Sequence, residues 1–181
     1  EVNGTNYIGF VCNGGYAEKF VGKATNAYKL PDSVSDVAAA LIDPLMVAYH
    51  AVKHSDIRLN SKVLVVGSGI IGHFIGTLAK KAGASYVAMS KVSDLKIQKA
   101  VECGDFDNFF DGNDPDATKK MLEKTQGGFD VAFVAVGSDS ALQICVDSVK
   151  PGGEVVMIGN SIDDKVPFAM NQAVLHEIRL R

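Results

Sequence analysis

The apolar run Val63-Leu64-Val65-Val66 meets the glycine string Gly67-Ser68-Gly69-Ile70-Ile71-Gly72. No other junction constrains the fold as strongly. A short apolar run ended by glycine reads as a strand buried on both faces. Beyond it Ile71, Phe74, Ile75, Leu78, Ala79 and Ala82 recur at helical spacing. The stretch "SYVAMS" then reads as a second strand. Strand, helix and strand in that order form a crossover unit, which joins parallel neighbours in one sheet.

The alternation continues. A helix is predicted over "SDLKIQKAVEC", a weak strand at "DNFF", a helix at "DPDATKKMLEKTQ" and a strand at "FDVAFVAV". A helix at "SDSALQICVDSV", a strand at "GGEVVMIG" and a further strand at "AVLHEIRL" complete the series. Apolar strands alternating with helices predict an α/β fold, a doubly wound parallel sheet with helices on both faces. Upstream, "PDSVSDVAAALI" opens with a capping-box candidate, Ser33 with Asp36, and Pro44 begins a second apolar helix. Residues 1 to about 30 are Gly-rich with short alternating stretches, and read as strands and turns without a core of their own.

Gly67, Gly69 and Gly72 spell G-x-G-x-x-G between strand and helix, and each glycine has its own reason. The first permits the tight turn, the second lets a pyrophosphate approach bare backbone, and the third packs helix on strand. Phosphates then meet the unpaired amides and the positive dipole end of the helix. The expectation is a nicotinamide dinucleotide site. An NAD site of this kind carries Asp or Glu about 20 residues past the loop, on the ribose hydroxyls. Here the second strand ends in Ser90-Lys91. A lysine pairs with a 2′-phosphate and a serine donates to it, so NADP(H) is favoured over NAD. Lys96 would add a second charge, and Asp94, the rival acid, reads as a helix N-cap.

Charge and composition exclude other classes. The formal net charge is −3, which leaves no basic field for nucleic acid or an anionic membrane. No apolar run approaches the length of a membrane-spanning helix and no signal peptide opens the chain, so a cytoplasmic compartment is expected. Cys12, Cys103 and Cys145 form no metal-binding spacing and read as reduced thiols packed as small apolar side chains. His50 and His54 sit at i, i+4 on one helix face, a spacing that can bind metal. No metalloprotease Glu accompanies them, so surface or packed histidines are the preferred reading. His73 is placed near the pyrophosphate, and His176 in an edge strand. Asp43 precedes Pro44 and reads, from the residues alone, as a helix N-cap.

The order "GGYAEKF", "YKLPDSVS", "AALIDPLMVAYHAV", "VLVVGSGIIG", "AKKAGAS", "VKPGGEVVMIG" and "HEIRL" resembles the zinc-dependent medium-chain alcohol dehydrogenases, in their sorbitol/polyol, butanediol and threonine branch. The resemblance implies a Rossmann domain over 58–181. Before it, residues 1–57 would be the C-terminal part of a GroES-like catalytic domain with connecting helices. It implies reversible hydride transfer between NADP(H) and a secondary alcohol or polyol and its ketone, with zinc as Lewis acid in the full-length protein. Where that branch has Glu before Pro, this chain has Asp43, a carboxylate suited to zinc, so Asp43 is the candidate catalytic and metal residue. The branch's Cys ligand, its His-Glu pair and its structural cysteine cluster are absent, so the chain is expected to be a fragment that is inactive alone.

By the same resemblance Ala135, Val136 and Gly137 line the adenosine side, while Met157, Ile158, Gly159 and Asn160 run beside the nicotinamide. The small-molecule partner would be an alcohol or ketone. A homo-oligomer, dimer or tetramer, would form through the last strand of the sheet, "AVLHEIRL". Two rival functions remain. One is a non-catalytic dinucleotide-sensing module. The other is a zinc-free quinone reductase, against which the "IDP" segment argues.

Overall fold

The computed structural model describes residues 8, 9, 12–91, 101, 105–161 and 165–181. Two compact units are distinguished, residues 1–39 and residues 40–181. In the first unit Ile8 and Cys12 form a single parallel bridge, and Ala24–Asn26 make one 3-10 turn. None of its described residues is buried, in keeping with the expected lack of a core. Cys12 is exposed, which corrects its reading as a packed thiol. The cap of helix α1 (Asp36–Ala40) also differs from expectation. Ser35 rather than Ser33 supplies the oxygen, with its Oγ accepting from the Ala38 amide at 3.2 Å.

The second unit is built on β1 (Lys62–Val66), β2 (Tyr86–Lys91), β3 (Asn108–Asp111), β4 (Phe129–Val134), β5 (Val149–Met157) and β6 (Arg179–Leu180). All five pairings are parallel, in the order β3-β2-β1-β4-β5-β6. This is the doubly wound Rossmann order, and the direction of winding reverses between β1 and β4. The described helices are α2 (Ile42–His54), α3 (Ile70–Lys81), α4 (Ala117–Thr125), α5 (Asp139–Ser148) and α6 (Met170–Leu175). The helix expected at 93–103 lies outside the described residues apart from Val101.

The period-2 alternation of the strands sorts their side chains into two cores. Val63, Val65, Val87, Met89, Val131 and Phe133 face α2 and α3, and join Ala48, Ala51, Val52 and Ile75. Leu64, Val66, Ala88, Ala132 and Val134 face the other way, with Met121 of α4 and Ala141, Leu142 and Cys145 of α5. Most of these side chains are fully buried, and each such Val, Leu or Phe contributes on the order of 2 kcal/mol. Cys145 behaves as a packed apolar group, and burial pushes its thiol pKa far up. Because β1 and β4 are covered on both faces, their continuous apolar sequences need no polar alternation.

One expected strand is different. "AVLHEIRL" is a strand only at Arg179–Leu180, while Ala173, Val174 and Leu175 end helix α6. A short apolar run fits either periodicity, and here Met170, Gln172 and Ala173 favour the helix. Ala173 is its buried contact. Glu177 then turns the chain at a φ of 53°, and β6 pairs Arg179 and Leu180 with Glu154 and Val155.

Candidate cofactor cleft

The carboxyl ends of β1, β2, β4 and β5 converge at the point where the winding reverses. The Gly67 amide donates to the Ser90 carbonyl at 3.1 Å, and the Ala135 amide to the Val66 carbonyl at 2.9 Å. Both the Ile158 and the Gly159 amides donate to the Val134 carbonyl at 3.0 Å. The predicted residues Gly67, Ser90, Ala135, Ile158 and Gly159 therefore sit at adjoining strand ends. An open α/β sheet binds its ligand in this crevice.

The glycines divide by what a side chain would meet. Gly67 takes a φ of 124°, a left-handed conformation that disfavours any other residue. A Cβ on Gly72 would lie 2.0 Å from the Gly67 carbonyl oxygen, so helix α3 can start this close to the strand only with glycine there. A Cβ on Gly69 would meet nothing within 4 Å. Gly69 is also the exposed N-cap of α3, and no side chain caps the helix. Its amides therefore face open space, as an approaching pyrophosphate needs. Ser68 and Ile71 flank this turn half-buried, and Ile70 is exposed. These features fit a dinucleotide.

The other predicted residues are placed less uniformly. Gly137 and Gly159 bring the loops after β4 and β5 together. A Cβ on Gly137 would lie 1.8 Å from the Asn160 oxygen, and one on Gly159 would lie 2.5 Å from Val136 carbon. Both glycines thus have a packing reason that the sequence did not disclose. Val136, Gly137 and Gly159 also line a small cavity of about 90 Å³. Ser90 is 1% exposed, and its Oγ is buried without a hydrogen-bond partner among the described residues. It points toward the α4/α5 side, as the alternation after Ala88 requires. Lys91 closes β2, but its side chain lies outside the described residues, as do Asp94 and Lys96. His73 packs edge-on against Phe106 at 6.1 Å. Burial depresses its pKa, opposed by the charge of Asp105.

A larger cavity, about 530 Å³, lies along α2. Asp43, Met46, Val47, His50 and His54 line it from the helix, with Ile158 and Arg181 among those opposite. Asp43 is in the first turn of α2, whose N-cap is Leu41, so it is not the N-cap itself. Its carboxylate is exposed and joins the predicted nicotinamide-side residue Ile158 in one space. Sequence reasoning missed Met46, Val47 and Arg181 here. The signal was present for the first two, because 43, 46, 47, 50 and 54 share one helical face. Among the described residues no group of three or more His, Cys, Asp or Glu could hold a metal ion. Asp43 offers one carboxylate, and the described residues do not assemble the three protein donors of a catalytic zinc centre.

The chain and its fold have counterparts among known proteins. The sequence profile described as "Zinc-binding dehydrogenase" matches residues 71–181. The chain is 32% identical over 160 residues to a sorbitol dehydrogenase from Gallus gallus, covering 87% of this chain and 45% of that protein. Two crystal structures superpose well. A zinc-binding dehydrogenase from Sinorhizobium meliloti bound to NADP has a TM-score of 0.83 at 28% identity, covering 96% of this chain and 52% of that one. The alcohol dehydrogenase rspB from E. coli CFT073, complexed with NADH, has a TM-score of 0.85 at 25% identity, covering 96% and 51%. The chain therefore belongs to the zinc-binding dehydrogenase family. It spans about half the length of these relatives. Among the described residues no helix is long and apolar enough to cross a membrane.

Proposed function

We propose that this chain is the dinucleotide-binding part of a zinc-dependent alcohol or polyol dehydrogenase that prefers NADP(H). The observation that carries the reading is the glycine turn at the end of the central strand, where Gly69 leaves the backbone uncovered before an uncapped helix. The overall exchange would be secondary alcohol plus NADP⁺ to ketone, NADPH and a proton. A bound nicotinamide supplies the hydride acceptor and donor.

The chain's own residues bind and orient. Gly67 makes the turn, its own amide bonded to the Ser90 carbonyl, and Ser68, Gly69, Ile70, Ile71 and Gly72 border the pyrophosphate with their backbone. Lys91 and Lys96 pair with the 2′-phosphate beside Ser90, whose buried Oγ has no hydrogen-bond partner among the described residues. Ala135, Val136 and Gly137 border the adenosine, while Ile158, Gly159 and Asn160 border the nicotinamide. Asp43 contributes a single carboxylate in the cavity it shares with Ile158, as the chain's candidate oxygen donor to a metal. The same reading has the protein act on small-molecule alcohols or ketones in the cytoplasm. It also has the protein assemble as a homo-oligomer through the free edge of β6, where unpaired strand groups invite a second strand.

The preference for NADP(H) rests on Lys91 standing where an acid would accept the ribose hydroxyls. Titration with NADPH and NADH, followed by dinucleotide fluorescence, tests it. NADPH is expected to bind at least tenfold tighter, about 1.4 kcal/mol, and Lys91→Asp to reverse the order. Equal or tighter NADH binding by the unaltered chain would overturn the preference and leave Lys91 a surface charge.

A further inference from the structure

We propose that His50 and His54 form a two-histidine site for a first-row divalent transition metal. The two imidazoles lie one turn apart on the same face of α2, with ring centroids 4.4 Å apart and planes tilted by 44°. Both are exposed, and both line the cavity of about 530 Å³. Two imidazoles sharing a tetrahedral ion at about 2.0–2.1 Å place their centroids about 5 Å apart. The observed separation of 4.4 Å is within an ångström of that value.

The end of the helix favours a cation, and the arginine that lines the cavity is already committed elsewhere. His54 is the last residue of α2, where the negative end of the helix dipole lies. Arg181 also lines the cavity, but its Nε lies 3.4 Å from the buried Glu154 carboxylate and its Nη1 donates to the His54 carbonyl. Its charge is thereby offset and its fork is turned to the backbone. Asp43 is seven residues before His50, about 10 Å along the helix axis, too far to share the ion. The metal thus takes two protein ligands, and its remaining positions face the open cavity, where water or a small donor completes them. Imidazole ligands select Cu²⁺ most strongly, with Ni²⁺ and Zn²⁺ weaker.

The chain carries its own controls. His73 packs against Phe106, and His176 lies outside the cavity. Substoichiometric Ni²⁺, read by paramagnetic broadening of the histidine ring resonances, should erase His50 and His54 together and leave His73 and His176 sharp. A Zn²⁺ titration by calorimetry should then show one site, weakened at least tenfold by His50→Gln and equally by His54→Gln. Broadening of His50 and His54 no earlier than His176 would overturn the proposal, and so would a single variant that binds as tightly as the unaltered chain. The resonance experiment needs no substitution, so it holds even if a variant is poorly folded.

Discussion

The two ends of the parallel sheet are built from opposite materials. At the carboxyl end, the turns after β1, β4 and β5 approach one another through bare backbone, with glycine at Gly67, Gly72, Gly137 and Gly159. At the amino end, side-chain charges tie the connections down. Asp56 pairs with Arg58 and Arg179, each at 2.9 Å, and Asp130 pairs with Lys150 at 2.5 Å. Asp130 also accepts from the Lys62 amide at 2.6 Å, and the buried Glu154 from the Asp56 amide at 2.7 Å. At the carboxyl end the loop amides bond to neighbouring strand carbonyls, and only the first turn of α3 is left without a side-chain cap where a charged ligand would enter. The end that only has to hold commits its polar groups to one another.

This contrast sets an order of expected effects. The largest belongs to Gly72→Ala, whose new methyl would lie 2.0 Å from a backbone oxygen with no flexible side chain to yield. A loss of about 4 kcal/mol or more is expected, read as the shift in urea midpoint at constant slope. A loss under about 1 kcal/mol would mean that helix α3 can start elsewhere. Next comes Glu154→Ala at the opposite end. It strands the Asp56 amide and frees Arg181, and should cost about 2 kcal/mol while leaving dinucleotide affinity unchanged. A large affinity loss there would erase the division between the two ends.

The smallest effect concerns Asp56→Asn. Hydrogen bonds from Arg179 first, and then Arg58, hold the Asp56 carboxyl below its ordinary 3.8. A lowered folded pKa contributes stability that is present above the unfolded value and lost as pH falls through the folded one. The unaltered chain should therefore lose this contribution below about pH 4, and the variant should show a flatter acid limb. Both ion pairs are exposed, so the difference should shrink further in 1 M salt. An acid limb unchanged by the substitution would remove Asp56 from the network.

Much of the carboxyl end was legible in the sequence because its signals are local. The apolar run before Gly67, the helical spacing after it and the glycine positions lie within one short stretch and predict β1, the turn and α3 together. The β4–α5 and β5 elements were readable for the same reason. What escaped depends on distant partners. Nothing in "GGEVVMIG" marks Glu154 as buried, because the Asp56 amide and Arg181 that satisfy it come from other parts of the chain. The sequence marks Gly137 and Gly159 as cofactor neighbours, yet their close approach to Asn160 and Val136 arises only when β4 and β5 lie side by side. "AVLHEIRL" misled because three apolar residues fit a helix as well as a strand. The cavity along α2 was half readable: the helical face was there, but Ile158 and Arg181 complete it from just past the ends of β5 and β6, far away in sequence.

Gly69 tests the account most directly, because it alone among the three loop glycines has open space where a side chain would go. The measurement is NADPH affinity of Gly69→Val beside its thermal unfolding midpoint. The account predicts binding weakened at least a hundredfold, about 2.7 kcal/mol, with a midpoint close to that of the unaltered chain. Unchanged affinity in a folded variant would contradict it, because the pyrophosphate would then not rest on this backbone.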